Sequence, residues 1–422
     1  MLVVSKIIEN FESICDSLEK RNFNAKLILT KVVNYDEERR LVQSKLDGLL
    51  HQLNGLAKKI GELYKNNQID KVDELKNEVS NFKIETQNLS KKLKEIQEKI
   101  KKCLLDIPNT PHELVKKGNS EEDNELVYIV KNIPEGDKDN LTHWELSKKL
   151  NIIDFDLGNK ITGSGFPVYI NKGAKLQRAL INYFLDKNIN AGYKEVQVPI
   201  LVNEKSGIAT GQLPDKEGQM YQINHDNLYL APTAEVPVTN MFRDSIIDSK
   251  SIPISLTSYT PCFRREAGSY GSEVRGLNRL HQFDKVELVR IENPESSYLA
   301  LDQMVKHVKS ILVELNLPFR ILRLCGGDLG FTSALTYDFE VYSSAQKKWL
   351  EVSSVSNFET YQSNRLKLRI NNAGTKVLAH TLNGSSLALP RILASIIENF
   401  QEKGSILIPK VLISYTGFEK IQ

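Results

Sequence analysis

Between Val42 and Cys103 the apolar residues keep a spacing that only a long, narrow structure can use. They fall at Val42, Leu46, Leu49, Leu53, Leu56, Ile60 and Leu63, alternately four and three apart, the seam of a helix that buries one stripe against a partner. After a polar break at Asn66, Asn67 and Gln68, a second seam runs through Val72, Leu75, Val79, Phe82, Thr86, Leu89, Leu93, Ile96, Ile100 and Cys103. Two seams of similar length joined by a short turn bury each other by folding back, which predicts an antiparallel helical hairpin. Each limb should be on the order of 45–50 Å long at about 1.5 Å per residue. Thr86 is the one polar seam residue, a candidate for fixing register.

The flanks set the domain plan. Residues 1 to about 30 read as one short amphipathic helix, with Ile7, Ile8, Phe11, Ile14 and Leu18 on one face, packing on the domain C-terminal to it. Pro108 and Pro111 end the second long helix, and the polar stretch 116–127 reads as a linker. With 422 residues two domains are expected, one over 1–110 and one over 111–422.

Charge and cysteine usage narrow the setting. The net charge of +3 gives no global attraction to nucleic acid, so such binding must come from local patches. Residues 31–105 hold 16 Lys+Arg against 12 Asp+Glu, a mixture that by itself describes a solvated helix face with i,i+4 pairs. Lys91, Lys92, Lys94, Lys99, Lys101 and Lys102 form its densest basic cluster, the best candidate for phosphate contacts. Cys15, Cys103, Cys262 and Cys325 are far apart without C-x-x-C spacing, so a reducing compartment and no zinc site are expected. The N-terminus carries charges inside its apolar stretch, unlike a signal peptide. Nowhere do about 18 uncharged apolar residues run together, which argues against a membrane span. A cytoplasmic protein is expected.

A different pattern occupies Thr257 to Ile291. The run Thr257 to Arg264 is rich in β-formers, and from Arg279 to Ile291 alternation places His281, Phe283, Lys285 and Glu287 on one strand face. Aromatic, cationic and anionic side chains in one row suit a pocket rather than an apolar core. Between the runs, Arg264, Arg265, Glu266, Arg275 and three glycines bring cations and approachable backbone to one end of the hairpin, a place where a polyphosphate fits.

FRREAG followed by RGLNRLHQFDKVE resembles motif 2 of class II aminoacyl-tRNA synthetases, and specifically of seryl-tRNA synthetases. Further matches accumulate around it. A helix over about Lys172 to Lys187, then a strand from Tyr193 to Pro199, resembles motif 1, which in that fold builds the dimer interface. TGQLP at Thr210 to Pro214, the T-x-E of Thr233 and Glu235, the E-x-S-S-x-S-N beginning at Glu351 and the N-G-S-x-L-A-x-P-R ending at Arg391 all resemble segments of the same family. The resemblance spans nearly the whole chain. It implies an α+β fold, a class II antiparallel sheet flanked by helices, with an N-terminal coiled-coil arm that grips the long variable arm of tRNA. Such recognition of shape and backbone needs no sequence-reading side chains.

The implied reaction is serine activation with ATP, then transfer of serine to the 3′ end of tRNA(Ser), and of tRNA(Sec) in a host that has one. A homodimer is also implied. Catalysis then needs cations and alignment rather than a triad. By resemblance Arg264 binds the α-phosphate and the serine carboxylate, and Arg391 the far phosphates. Arg265, Glu266, Leu280, Val352 and Ser353 belong to the ATP site, and Phe283 stacks on adenine. Glu351 and Ser354 hold Mg²⁺ beside the triphosphate; on bare chemistry Asp328 and Glu340 have equal claims. Thr233, Ala234, Glu235, Glu287 and Ser385 surround the serine, with Glu287 and Glu235 toward its amine. Ser385 or Ser386 can also cap the next helix, which has Pro390 near its first turn.

Some positions depart from the family. Ser272 and Glu273 replace a cation and an aspartate in the motif 2 loop, Val355 and Phe358 stand where cysteines are usual, and Ser386 stands for a glycine. No charged catalytic group is lost. A class II enzyme for threonine or proline would typically add an anticodon-binding domain, for which about 20 residues after Phe400 leave no room. A tRNA-binding scaffold with an inactive body is disfavoured by the retention of Arg264, Glu287, Glu351 and Arg391.

Overall fold

A computed structural model describes residues 1–68, 72–134, 140–266 and 275–422. Ser272 and Glu273 lie outside the described residues. The chain divides into two compact units, Met1–Glu19 with Phe23–Pro108, and Lys20–Asn22 with Asn109–Gln422.

In the first unit the two seams form the helices Lys26–Lys65 and Val72–Leu105, packed along their length. Val42, Leu46, Leu56, Val72, Ile96 and Ile100 are buried on the seam. The first helix begins 16 residues before Val42, because Leu29 and Val32 continue its buried stripe and Asp36 takes a seam position. Arg39 and Arg40 hold that buried carboxylate at 2.8 and 2.7 Å from the same helix. Thr86 is also buried, but its hydroxyl donates to the Lys83 carbonyl at 2.9 Å, so it is satisfied within its own helix rather than across the seam. The single helix expected over 1–30 is instead two, Val4–Glu9 and Phe11–Glu19, broken where Asn10 leaves helical geometry and caps the Lys6 carbonyl.

The second unit is built on an eight-stranded sheet: β1 (Glu125–Ile129), β2 (Lys194–Glu195), β3 (Ile254–Phe263), β4 (Gln282–Glu292), β5 (Phe319–Arg323), β6 (Leu335–Ser343), β7 (Lys348–Asn357) and β8 (His380–Ala388). Their order is β1-β5-β6-β7-β8-β4-β3-β2, antiparallel throughout except for the β2–β3 edge. The strand expected from Tyr193 to Pro199 reduces to the two residues of β2, with the Val196 amide still bonded to the Thr257 carbonyl at 2.9 Å.

Alternation gives this sheet two unlike faces. Val286 and Leu288 of β4, Phe339 and Val341 of β6 and Val355 of β7 enter one apolar core. Against them pack Leu176, Leu180 and Phe184 of the Asn171–Asn190 helix, Met304 and Val308 of Ser297–Glu314, and Leu393 and Ile396 of Leu389–Asn399. Each such side chain contributes about 1.5–3 kcal/mol by leaving water. The helices take one face and leave the other to polar side chains. Ser385 and Ser386 lie inside β8, not at a helix start; the Leu389–Asn399 helix begins from Ala388 without a side-chain cap and has Pro390 in its first turn. Among the described residues no helix is long and apolar enough to cross a membrane.

Candidate active site

The polar face is centred on β4. Phe283, Lys285 and Glu287 alternate onto it, and the register sets Glu287 opposite Ser258 of β3 and Ser385 of β8. Lys285 Nζ lies 2.6 Å from Glu287 Oε2, and the Thr233 hydroxyl donates to the same oxygen at 2.6 Å. Thr233 precedes the short helix Glu235–Asn240 and also accepts from the Glu235 amide at 3.3 Å. Its hydroxyl therefore ties the helix start to the strand carboxylate. Ala234 is fully buried among Val238, Leu256 and Val289, so only its backbone is available to a ligand.

Glu235 is buried beside this group. Burial first, and then the charge of Glu287, push its carboxyl up to about 7. Gln362 Nε2 donates to Glu235 Oε1 at 2.6 Å, and its carbonyl accepts from Thr381 at 2.7 Å. Asn383, two residues before Ser385 on β8, also bonds to Glu235. The result is one anion neutralised by Lys285, and beside it a carboxyl poised between charged and neutral.

At the open end of the β3–β4 hairpin the Arg264 guanidinium lies 5.3 Å over the Phe283 ring, and its Nε approaches the Pro232 carbonyl at 3.4 Å. Arg265 is exposed and helps line a cavity of about 670 Å³ with Asp215, Tyr221, Gln222 and Tyr229. Glu266 pairs with Arg279 at 3.2 Å. Leu280 is buried in the helix-side core, which leaves its backbone alone to face a ligand.

The third group comes from β6, β7 and the Leu389–Asn399 helix. Glu351 and Ser354 are three apart, and a regular strand would turn them to opposite faces. A β-bulge prevents this. Ser353 opposes Phe339 and Glu351 opposes Glu340, leaving Val352 without a partner. Ser354 then opposes Asp338, so Asp338, Glu340, Glu351 and Ser354 share a face; through the pairing of Ser356 with Asn383 it is the face of Glu287 and Ser385. Arg391 reaches over from the Leu389–Asn399 helix, donating through Nε to the Asn278 carbonyl at 2.9 Å and through Nη1 to the Glu351 carbonyl at 2.6 Å, 3.6 Å from the Glu351 carboxylate. Val352 packs in the core, and the Ser353 hydroxyl donates to the Ser385 carbonyl at 2.6 Å. Burial, then the nearby Glu351, raises the Asp338 carboxyl, against the bond from Ser354. Its Oδ1 has no partner among the described residues. Glu340 is held by Arg320, and Asp328 is bonded by Asn124 at 2.7 Å away from these strands.

Comparison with known proteins decides what this arrangement belongs to. Residues 1–111 match the family model of the seryl-tRNA synthetase N-terminal domain, and residues 219–400 that of the tRNA synthetase class II core domain (G, H, P, S and T). A serine–tRNA ligase of Salinibacter ruber is 44% identical over all of this chain and 99% of its own length. The chain belongs to the seryl-tRNA synthetase family. A serine–tRNA ligase of Nautilia profundicola is also 44% identical, over 98% of this chain and all of its own. The crystal structure of seryl-tRNA synthetase from Pyrococcus horikoshii complexed with ATP superposes with a TM-score of 0.90 at 31% identity, covering 100% of this chain and 99% of that one.

Within this synthetase fold, Thr233, Glu235, Glu287, Ser385, Glu351 and Ser354 gather at one sheet face with Arg264 and Arg391 at its rim, whereas the Leu280, Val352 and Ser353 side chains lie on the core side and Arg265 lines the cavity beside Tyr221. Lys285, Gln362, Asn383 and Asp338 join them although the sequence assigned them no role. Lys285 had a signal in the alternating row, and Asp338 in the alternation of Asp338 with Glu340. Gln362, brought in by the short helix Thr360–Leu366, had none.

Proposed function

We propose that this chain activates L-serine with ATP to give seryl-adenylate and pyrophosphate, and then transfers serine to the 3′ end of tRNA(Ser). The observation that carries the reading is the convergence of the Glu235 and Glu287 carboxyls with the Thr233 and Ser385 hydroxyls on one sheet face that has Arg264 and Arg391 at its rim. A serine ammonium is met by Glu287 and Glu235, and its hydroxyl by Thr233 and Ser385. Its carboxylate then points toward Arg264, where it attacks the α-phosphorus of ATP; the bond to pyrophosphate breaks and the seryl-adenylate anhydride forms. Arg264 meets the charge growing on the α-phosphate and Arg391 the charge on the departing phosphates, a role in which fixed cations are worth most in the transition state. Adenine would stack on Phe283, with Glu266, Arg265 and the backbone at Leu280, Val352 and Ser353 at its edges.

Glu351 and Ser354 present oxygen donors on the phosphate side, the donor set a Mg²⁺ ion takes. Mg²⁺ is commonly bound through one or two carboxylates together with substrate phosphates, and Glu351 and Ser354 would hold it in that way. When bound, Mg²⁺ would neutralise triphosphate charge.

In the second half-reaction the terminal ribose hydroxyl of tRNA attacks the seryl carbonyl carbon and AMP leaves. Residues 1–110 form the tRNA-gripping arm of this reading and 111–422 the catalytic domain. In a host with tRNA(Sec) the same arm would serve that substrate. A homodimer through the Asn171–Asn190 region, working in the cytoplasm, completes the proposal. The test is exchange of pyrophosphate into ATP. Exchange with serine but not threonine, alanine or proline, lost in Arg264→Ala, is expected; absence of exchange with every amino acid would overturn the reading.

A further inference from the structure

His143 starts the helix His143–Lys149 and is fully buried, remote in sequence from every residue assigned above. Its Nε2 accepts the Leu277 amide at 2.8 Å. A nitrogen that accepts an N–H carries no proton, so the single proton of the neutral ring sits on Nδ1. There it is donated to Glu398 Oε1 at 2.6 Å. Glu398, fully buried in the Leu389–Asn399 helix, also accepts from the His143 amide at 2.9 Å, from Gln346 Nε2 at 2.9 Å and from the Ser343 hydroxyl. Glu398 is thus a charged anchor, and the imidazole is a two-ended clamp between it and the returning limb of the β3–β4 connection.

That limb leads to the phosphate side of the site. Gly276 has φ +67°, and a Cβ there would lie 2.2 Å from His143 Nε2, so the limb passes against the ring. Leu277 is buried, and the Asn278 side chain donates to Gln346 Oε1 at 2.9 Å. The Asn278 carbonyl accepts Arg391 Nε at 2.9 Å, while Arg391 Nη1 is held at Glu351. Two edges of the guanidinium are therefore fixed by protein, and Nη2 has no protein partner among the described residues. A planar group so held presents its third edge in one direction.

We propose that His143 is a positioning residue for the triphosphate: by clamping Gly276–Asn278 to Glu398 it sets the carbonyl that orients Arg391. This rests on the reading of Arg391 as a phosphate-binding group. His143→Asn keeps a donor near the Nδ1 position and removes the acceptor for the Leu277 amide. In serine-dependent exchange this variant should raise the KM for ATP about tenfold and leave the KM for serine within about twofold. Direct binding of a non-hydrolysable ATP analogue should weaken equally. In an Arg391→Ala background the same substitution should add no further loss of analogue affinity. Gln346→Leu, which cuts the Asn278 side-chain tether and one donor to Glu398 but keeps both ring bonds of His143, should give a smaller change in the same direction and supplies the test if His143→Asn does not fold. If Arg391→Ala leaves analogue affinity unchanged, the reading of Arg391 fails. If Arg391→Ala weakens it but both other variants change only the melting temperature, or weaken binding equally without Arg391, the proposal for His143 is wrong.

Discussion

Replacing Glu235 by glutamine isolates a carboxyl whose protonation burial and the Glu287 charge control. Glu235 is 8% exposed and titrates near 7 rather than its ordinary 4.5. Its bond from Gln362 survives in the variant, because a glutamine carbonyl accepts as well as a carboxylate. Folding favours the neutral form, since the unfolded chain loses this proton at a lower pH. The stabilisation is complete below about pH 4.5, falls as pH rises and is gone above about 7. Its size is set by the displacement between the two values, at about 1.4 kcal/mol for each tenfold in proton affinity, or about 3 kcal/mol in all. Glutamine is always neutral, so its advantage over wild type in unfolding free energy should grow across that window and level off above about pH 7. Urea unfolding of both proteins at pH steps from about 5 to 8.5 measures it. Adding Glu287→Gln should move the rise to lower pH, because the Glu287 charge is the second cause of the shift. The same proton governs substrate. Lys285 already balances Glu287 at 2.6 Å, so an arriving ammonium is balanced by ionising Glu235, and the KM for serine should fall as pH rises toward about 7 in wild type but not in the variant. A glutamine advantage that is flat in pH would refute the reasoning.

The same geometry fixes three further outcomes. Glu351→Gln should raise the Mg²⁺ concentration needed for half-maximal exchange about tenfold while the KM for serine stays put, read by titrating Mg²⁺ at saturating serine. Leu56→Ala removes a side chain buried on the arm seam, at a cost of about 2–5 kcal/mol; aminoacylation of tRNA should fall while serine-dependent exchange stays within about twofold. Reversing the exposed Lys94, Lys101 and Lys102 to glutamate should raise the KM for tRNA and flatten its salt dependence, with exchange again unaffected.

The arm was legible because a heptad seam is a long-range repeat that one interruption does not hide. Its true start was not, because Asp36 reads as solvent-facing until Arg39 and Arg40 are seen to neutralise it. The hairpin of β3 and β4 and its face were legible from alternation, which is why Phe283, Lys285 and Glu287 could be grouped before any contact was known. Chemical state was not legible: nothing in the string T-A-E says that Glu235 sits behind Glu287 and keeps its proton to about pH 7. Local pattern also misled. The N-G-S-S run looks like a helix cap, yet the β4 and β7 pairings extend it as a strand, and the helix waits for Pro390.

Glu351 and Ser354 show where pattern reading reaches its limit. Both were singled out, and yet their spacing alone would have put them on opposite sides of the sheet. The extra residue Val352 reverses the alternation and brings both oxygen donors, with Asp338 and Glu340, to the face that carries Glu287. The bulge keeps Val352 itself in the apolar core, so the same residue that re-aims the donors also fixes the strand that bears them. A bulge is invisible in a hydrophobic pattern because it is an exception to that pattern. It has to be inferred from chemistry: the proposal that Glu351 and Ser354 meet one ion requires oxygen donors at i and i+3 on one face.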